Sequence, residues 1–542
     1  MKKKVGCILA STMALTALLG ACGTPVVDSG NEVPIDPTKT QVYVSAWNGG
    51  FGVDWLNEAA KRFNNANEGA QVIIVPNKDA YVTNIQPAIK SGIATSDIFI
   101  TATSDCQDLG IQGYLEDLSD IWTTDVDGNG KTVEGKMMDP NQFKKVYQTL
   151  GGTWGLPHSE AMQGFVYDHA IFVDKGYLMT ESDGTLTKGK DGEIGTYDDG
   201  QPTTIAEWDI MLQKMVSDGI YPFLWNGMYA SDYLESLQEA LYAQYDGLNN
   251  YEVSWSYDGE FKYADGTKET ITPATGYKIT KNPSKKVVID FVSKYLKENA
   301  NYYHPSSKYT SVSHTDAQAL FVLGYQNTES NPTSGMLYDG VWWENETRAT
   351  FDALSKRGET EYKFGTRDYR YMLFPSIAGQ RGSNGDGTGS VMPISENGSI
   401  FLKKIKDETK RTYAKSFIKY LVSDEVSKLF TSYSGGLRPY NYELGETELS
   451  KMSVFAKNAY QLYMDSENVA CIRMDVMPYY SQMNYFTTPT VSRWGTKIGD
   501  RNFNNVYMGL MNYSKDQYYA GMDSFATAGY WTPIYNKFLE LQ

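Results

Sequence analysis

Cysteine, histidine and positive charge are all scarce in these 542 residues. Of the four cysteines, Cys7 and Cys22 lie at the extreme N-terminus, which leaves Cys106 and Cys471. Two thiols so far apart in sequence are no disulfide framework even for an exported chain, and both are expected to be free. The four histidines, His158, His169, His304 and His314, form no HExxH motif, and no CxxC occurs, which argues against a catalytic zinc. Only 49 Lys and Arg stand against 65 Asp and Glu, a net charge of −16, and such a surface repels phosphate backbones, so nucleic acid is excluded as an expected ligand. After residue 22 no apolar run is long enough to cross a bilayer, and the remaining chain is expected to be soluble and outside the membrane. Internal repeats are absent, and the only low-complexity stretch is Gly382 to Gly389.

What the chain does have is a foldable composition, 41% hydrophobic and 21% charged, in a length too great for one core, so two or more domains are expected. Its aromatics are 41 Tyr and 11 Trp against 21 Phe. Tyr and Trp join a flat apolar face to a polar edge, which suits recognition of something both wet and flat-faced.

Lys2, Lys3 and Lys4 precede an apolar stretch, Ile8 to Leu19, and then Gly20, Ala21 and Cys22. This resembles a bacterial lipoprotein signal, although Gly20 is less usual there than Ala or Ser. The resemblance implies that residues 1–21 are a removed signal peptide, that Cys22 carries the lipid, and that residues 22–40 are a tether. Two acyl chains, at about 0.8 kcal/mol per buried CH₂, suffice for stable anchoring where one is marginal. The alternative is an ordinary cleaved secretory signal with a chance cysteine.

Residues Gln41 to Ala46 read as a strand, Asp54 to Asn64 as an amphipathic helix with Leu56, Ala59, Ala60 and Phe63 on one face, Val72 to Val75 as a strand, Tyr81 to Lys90 as a helix, and Asp97 to Thr101 as a strand. This alternation means βαβ units and a parallel sheet, whose ligands sit at the carboxyl ends of the strands. Those ends are the Trp47 to Gly50 and Thr103 to Asp105 loops. Thr203 to Gly219 reads as a helix capped by Thr203 or Thr204 with Glu207 at capping-box spacing, and Glu408 to Ser432 as one further helix. Residues 182–202 and 256–276 are rich in Gly, Asp, Thr and Lys and read as surface hairpins or insertions.

The run from Trp47 to Thr101, Trp154 to Glu160 continuing to Asp168, Pro202 to Trp208 with Gly219 to Phe223, Gly340 to Trp342, and Ala414 to Pro439 together resemble an extracellular solute-binding protein of the sugar-binding family 1 type, the receptor subunit of ABC importers. The resemblance covers nearly all of the chain after the signal. It implies an α/β, two-lobe, periplasmic-binding-protein-like flytrap fold, each lobe a mainly parallel sheet flanked by helices. Lobe one is then 41–158 with 398–443, and lobe two 162–392 with 446–542, the second enlarged by its insertions. It implies capture of a carbohydrate, an oligosaccharide given the Tyr and Trp content, and delivery to an ABC permease. The place implied is the extracellular face of the bacterial cell membrane, for a lipid-anchored monomer without cofactor or enzymatic activity.

A pyranose offers C–H patches that stack on aromatic faces and hydroxyls that need planar donors and acceptors. By resemblance, lobe one supplies Trp47, Asn48, Thr103, Ser104, Asp105, His158 and Glu160, and lobe two supplies Trp342, Trp343 and Glu344. Trp342 matches the family's stacking tryptophan; on a strand the adjacent Trp343 faces the other way, into the core. Asp105 and Glu160 are hydroxyl acceptors in this reading, with a helix cap or surface carboxylate as the alternative. Trp225 and Trp494 are further platforms or core residues, Arg438 a cleft or solvated arginine, and Asn48 a hydroxyl partner or turn former.

Asp125, Asp127, Asn129 and Gly130 reproduce the first half of an EF-hand loop, but Lys136 stands where the bidentate Glu belongs, so an ordinary calcium site is not expected. Asp191, Glu193, Asp198 and Asp199 offer carboxylates for a structural calcium, or form a solvated turn. Two rival readings stay open: an anchored glycan-degrading enzyme, whose cleft would also be acidic and aromatic, and a binder of peptides or other solutes on the same fold.

Overall fold

The computed structural model describes residues 34–539 apart from 78–84, 103–105, 107–108, 150–151, 264, 281–283, 325–332, 377–388, 475–493, 495, 499–500, 504 and 526. Strands β1 (Thr40–Trp47), β2 (Ala70–Asn77) and β3 (Ile98–Ala102) are parallel, with β1 in the middle: Val44 lies opposite Ile74 on one side and Ile98 on the other. Helix α1 (Asp54–Ala66) makes the crossover from β1 to β2, burying Trp55, Leu56, Ala59, Ala60 and Phe63 against the sheet. Burial of each large apolar side chain stabilises by roughly 1.5–3 kcal/mol. The polar side of α1 holds Glu58 and Arg62 in an i, i+4 ion pair.

Six more strands complete the sheet: β4 (Leu156–Asp168), β5 (Tyr221–Leu224), β6 (Ser334–Gly340), β7 (Tyr369–Met372), β8 (Ser390–Leu402) and β9 (Val469–Arg473). The order is β2-β1-β3-β8-β4-β6-β5, with β7 also on β4 and β9 also on β8. Strands β4 and β8, 13 residues each and antiparallel to one another, are the two that serve both halves of the molecule. One end of β8 pairs with β3 and the other with β9, while the far end of β4 pairs with β6 and β7. Their mutual register shifts between Ile394 and Glu396 and between Gly398 and Ser399. Such irregularities bend and twist a ribbon, and here they fall where it leaves one lobe for the other.

The cores separate accordingly. One gathers residues from Val42 to Leu156 and from Ile400 to Tyr442. Two others, built on β4 to β7 and their helices, begin at Ala161 and Phe165 and include Trp208, Trp225, Trp343 and Phe455. A smaller cluster ties the Gly259–Lys262 and Lys268–Ile271 hairpin to Trp531, so the 256–276 insertion packs through Phe261 and Ile271.

Helix α2 (Ile205–Ser217) begins with the capping box read from Thr204 and Glu207. The single helix expected over Glu408 to Ser432 is two, α3 (Glu408–Leu421) and α4 (Asp424–Ser434). Ser423 accepts the Val426 N–H and starts the second, while the apolar stripe from Ala414 to Leu429 stays buried on both sides of the break. That continuity is why periodicity reads straight through it.

The N-terminus of α4 rests on the half EF-hand loop. Asp125 accepts the N–H groups of Asp127 (3.2 Å), Asn129 (3.2 Å) and Gly130 (2.7 Å), and Asp127 accepts the N–H of Asp424 at 2.8 Å. The Lys136 ammonium, buried, bonds Asp127 at 2.5 Å and Asp424 at 2.9 Å. It supplies a positive charge to carboxylates that in an EF-hand would face calcium. Asp198 and Asp199, in the other acidic loop, accept backbone N–H groups of Lys190, Asp191, Gly195 and Thr196. Among the described residues no group of three or more His, Cys, Asp or Glu is placed to hold a metal ion. Neither Cys106 nor Cys471 is in a disulfide. No described helix is long and apolar enough to cross a membrane.

Candidate functional site

Strand β1 connects to β2 on one side and neighbours β3 on the other, so the strand order reverses beside it, and the crevice beyond its carboxyl end is where an open α/β sheet takes a ligand. A pocket lies there. Ala46 and Trp47 come from the end of β1, Phe51, Gly52 and Trp55 from the turn into α1, Ile100 and Thr101 from β3, His158, Ser159 and Ala161 from β4, Gly398 from β8, and Phe430 from α4. The lining combines aromatic faces with hydroxyls and one imidazole, and holds no carboxylate among the described residues.

The floor is an aromatic cluster. Trp55 stacks on His158 with centroids 5.1 Å apart and planes at 27°, and both meet Phe430 edge-on at 5.1 Å. Phe51 meets Phe430 at 5.5 Å. Beneath the floor lies Arg438, fully buried, with one guanidinium nitrogen 2.5 Å from His158 Nδ1 and another donating to the Leu421 carbonyl at 2.8 Å. Burial, then the adjacent guanidinium, holds the His158 pKa well below the ordinary imidazole value, so the ring is neutral. Since Arg438 can only donate, Nδ1 accepts and the ring proton sits on Nε2.

The opposite wall belongs to lobe two, and the lobes touch across the crevice. A Cβ on Gly50 would overlap Cβ of Trp342, and the Asn345 amide donates to the Ser434 carbonyl at 2.5 Å. Beside this contact a second cavity, of about 660 Å³, opens between Asp54 and Tyr433 on one side and Asn345, Glu346 and Arg348 on the other. Glu346 shares the Gln318 amide with Asp339, at 2.7 and 3.1 Å; burial raises both carboxyl pKa values, and at Asp339 repulsion from Glu346 adds to it.

A model of the bacterial extracellular solute-binding proteins matches residues 58–458. The chain belongs to that family. No curated protein sequence matches it. Solved solute-binding proteins share the fold at low identity. A chitin oligosaccharide binding protein aligns at 15% identity over 90% of this chain and 98% of its own, TM-score 0.54. The apo-form of RafE from Streptococcus pneumoniae aligns at 13% over 93% and 100%, TM-score 0.52. The solute receptor AcbH, described as preferring β-D-galactopyranose, aligns at 13% over 92% and 98%, TM-score 0.52. The two-lobe α/β architecture of this solute-binding protein follows from these relationships and from its own strand order.

The residues singled out by sequence divide sharply. Trp47 and His158 line the inner pocket, and Asn48 follows Trp47 with its N–H bonded to the Asn77 carbonyl at 2.9 Å. Thr103, Ser104 and Asp105 lie outside the described residues. Trp342, 7% exposed, sits at the lobe contact between Gly50 and Gly340 with Tyr233 edge-on at 6.3 Å. The adjacent pair does not lie on a strand as expected: it follows β6, Trp343 opens a one-turn helix, and that turn drives Trp343 into a core of Phe321, Phe351, Tyr369 and Phe455. Glu344 points into lobe two, away from the pocket, where burial pushes its pKa up to about 7. Trp225, against Tyr303 and Tyr507, and Trp494, bonded to Glu239 at 2.6 Å, are core. Arg438 reaches the site only from below, through His158.

Glu160 is spent elsewhere. It is completely buried, paired with the Arg473 guanidinium through both carboxylate oxygens, and accepts the Tyr463 hydroxyl. The same hydroxyl also lies 2.8 Å from Met138 Sδ and 3.1 Å from the Arg438 carbonyl. This cluster joins β4, β9 and the Val454–Met464 helix at the back of the lobe junction. Thr101, Ser159, Trp55, Phe51 and Phe430, all in the pocket, escaped the sequence reading. Trp55 left a signal, an aromatic in the first turn of the helix that follows the strand whose end makes the site. Phe430 left none, because it sits on a helical stripe that reads as core.

Proposed function

We propose that this solute-binding protein is a surface-tethered receptor that captures an oligosaccharide between its lobes by hinge closure and delivers it to an ABC permease. The observation that carries the reading is the inner pocket. Trp47, Trp55, Phe51 and Phe430 offer flat apolar faces, and His158, Thr101 and Ser159 offer polar groups beside them, the pairing a pyranose needs. Membership of the family supports a place outside the cytoplasm, and the Lys2 to Cys22 signal, with Cys22 as the lipidated residue, supports a membrane-anchored monomer held on residues 22–40. The strand exchange at β4 and β8 supports lobes of 41–158 with 398–443 and 162–392 with 446–542. Similar solved structures, among them complexes with raffinose and maltose, support sugars as the ligand class. No cofactor is needed for this function.

The test is the thermal midpoint of the protein against mono-, di- and oligosaccharides, with amino acids and short peptides as controls. A ligand at about 100 times its Kd adds roughly 2.7 kcal/mol to the stability of the binding state, a resolvable rise. A rise with one saccharide series is expected. A response to peptides alone moves the assignment to another solute, and new reducing ends on incubation with polysaccharide replace receptor by enzyme.

A further inference from the structure

Among the described residues the guanidinium of Arg438 has no counter-ion. It is fully buried, and its partners are a neutral imidazole, a backbone carbonyl and the rings of Phe430 and Tyr440, with the charge 5.5 and 5.4 Å from their centroids. Its Nε has no acceptor among the described residues. Other deeply buried cations of this protein are paired: Arg473 with Glu160, Arg367 with Asp168, Lys136 with Asp127 and Asp424. An unpaired charge removed from water is costly, and buried charges are ordinarily compensated.

The missing negative charge has a place to sit. His158 and Phe430, which touch Arg438, form the pocket floor, so the guanidinium lies one ring below the ligand space. His158 gives its Nδ1 to Arg438, and its Nε2 has no partner among the described residues; the adjacent Cδ2 edge borders Gly398, which also lines the pocket. The buried Thr101 hydroxyl, on the same wall, is likewise unpartnered. The imidazole passes the polarisation of Arg438 to an outward N–H, which is then a stronger donor than a free neutral imidazole. Such a donor, beside hydroxyls and with no carboxylate among the described lining residues, prefers an ionised acceptor.

We propose that the inner pocket takes an acidic saccharide, with a uronate carboxylate seated against His158 Nε2–H and Thr101 and compensating Arg438. This rests on the carbohydrate reading above and narrows it. Asp54 and Glu346 stand in the outer cavity, so the carboxylate is bound inside and the neutral remainder of the chain points outward. The overall negative charge does not oppose this, because exposed charges more than about 8 Å away are largely screened at physiological salt.

The experiment is calorimetric titration of the protein with paired probes: oligogalacturonates against galacto-oligosaccharides, uronate-bearing against plain xylo-oligosaccharides, and each acid against its methyl ester. The expected result is at least tenfold tighter binding of the acid in one pair, lost on esterification. A neutral sugar that binds as tightly as its acid, in every pair, overturns this inference and leaves the receptor reading intact. Failure of all saccharides, with binding of peptides, overturns both. Arg438→Met should remove the preference for the acid over its methyl ester; should that variant not fold, the ester comparison on the unaltered protein decides.

Discussion

Replacing Glu160 by glutamine changes one oxygen for an amide at the back of the lobe junction, and the structure states what that costs. Glu160 is fully buried, receives two bonds from Arg473 and one from Tyr463, and Arg473 itself is 9% exposed. Removing the charge leaves the guanidinium buried with neither solvent nor counter-ion, a loss of about 3–5 kcal/mol for breaking one side of such a pair. Urea unfolding followed by tryptophan fluorescence should show E160Q destabilised by that amount, while its ligand Kd, measured at low denaturant by titration calorimetry, moves by less than about threefold. The double variant Glu160→Leu with Arg473→Met should regain most of the loss, because an apolar pair of similar volume removes both desolvation costs together. An E160Q protein as stable as its parent but binding at least tenfold more weakly would refute this account and return the carboxylate to the ligand, as the sequence first suggested.

Three further outcomes follow from other contacts. Gly50→Ala places a Cβ into Trp342, so the loop after β1 must retreat and closure weaken; ligand affinity should fall about tenfold by calorimetry with little change in the far-ultraviolet spectrum. Lys136→Met leaves Asp127 and Asp424 facing each other without their cation, and chemical denaturation should record a loss of about 3 kcal/mol. Burial lifts the Glu344 pKa to about 7 from its ordinary value of 4.5, so its contribution is complete below pH 4.5 and is lost as pH rises through 7. Stability curves at stepped pH should show Glu344→Gln lacking that decline, which is on the order of 3 kcal/mol.

The sequence was most informative where local signals and tertiary packing agree. Strands β1, β2 and β3 and helix α1 emerged within a residue or two because their apolar runs and the face of Leu56, Ala59, Ala60 and Phe63 carry the period of the element they form. Helix α2 was legible to its cap, since Thr204 and Glu207 make their bonds within one turn. Side-chain direction at the site was another matter. Glu160 and Gln163 are both buried on β4, and nothing local tells that the former meets Arg473, 313 positions away. Trp342 and Trp343 part company because a one-turn helix follows β6, a boundary no periodicity marks in so short a span. His158 was found by the family resemblance, yet the arginine that fixes its tautomer arrives from the far side of α4, and only the folded chain brings them together.

The sharing of β4 and β8 between lobes also governs how this molecule must come into being. Ile98 waits for Leu402, and Ala102 for Gly398, before the first sheet can close its β3 edge. A ribosome finishing β3 has some 300 residues still to add, and at about 5–20 residues per second that is tens of seconds. Through that interval the opening βαβ unit presents an unpaired strand edge, the kind that invites pairing with another chain. The closing entropy of so long a loop is modest, since it grows only with the logarithm of length, but the delay is unavoidable. Neither lobe is therefore an autonomous folding unit in order of synthesis: a fragment ended before β8 should fail to yield a folded first lobe, and a translocating chain kept extended until its last third has emerged would avoid the hazard altogether.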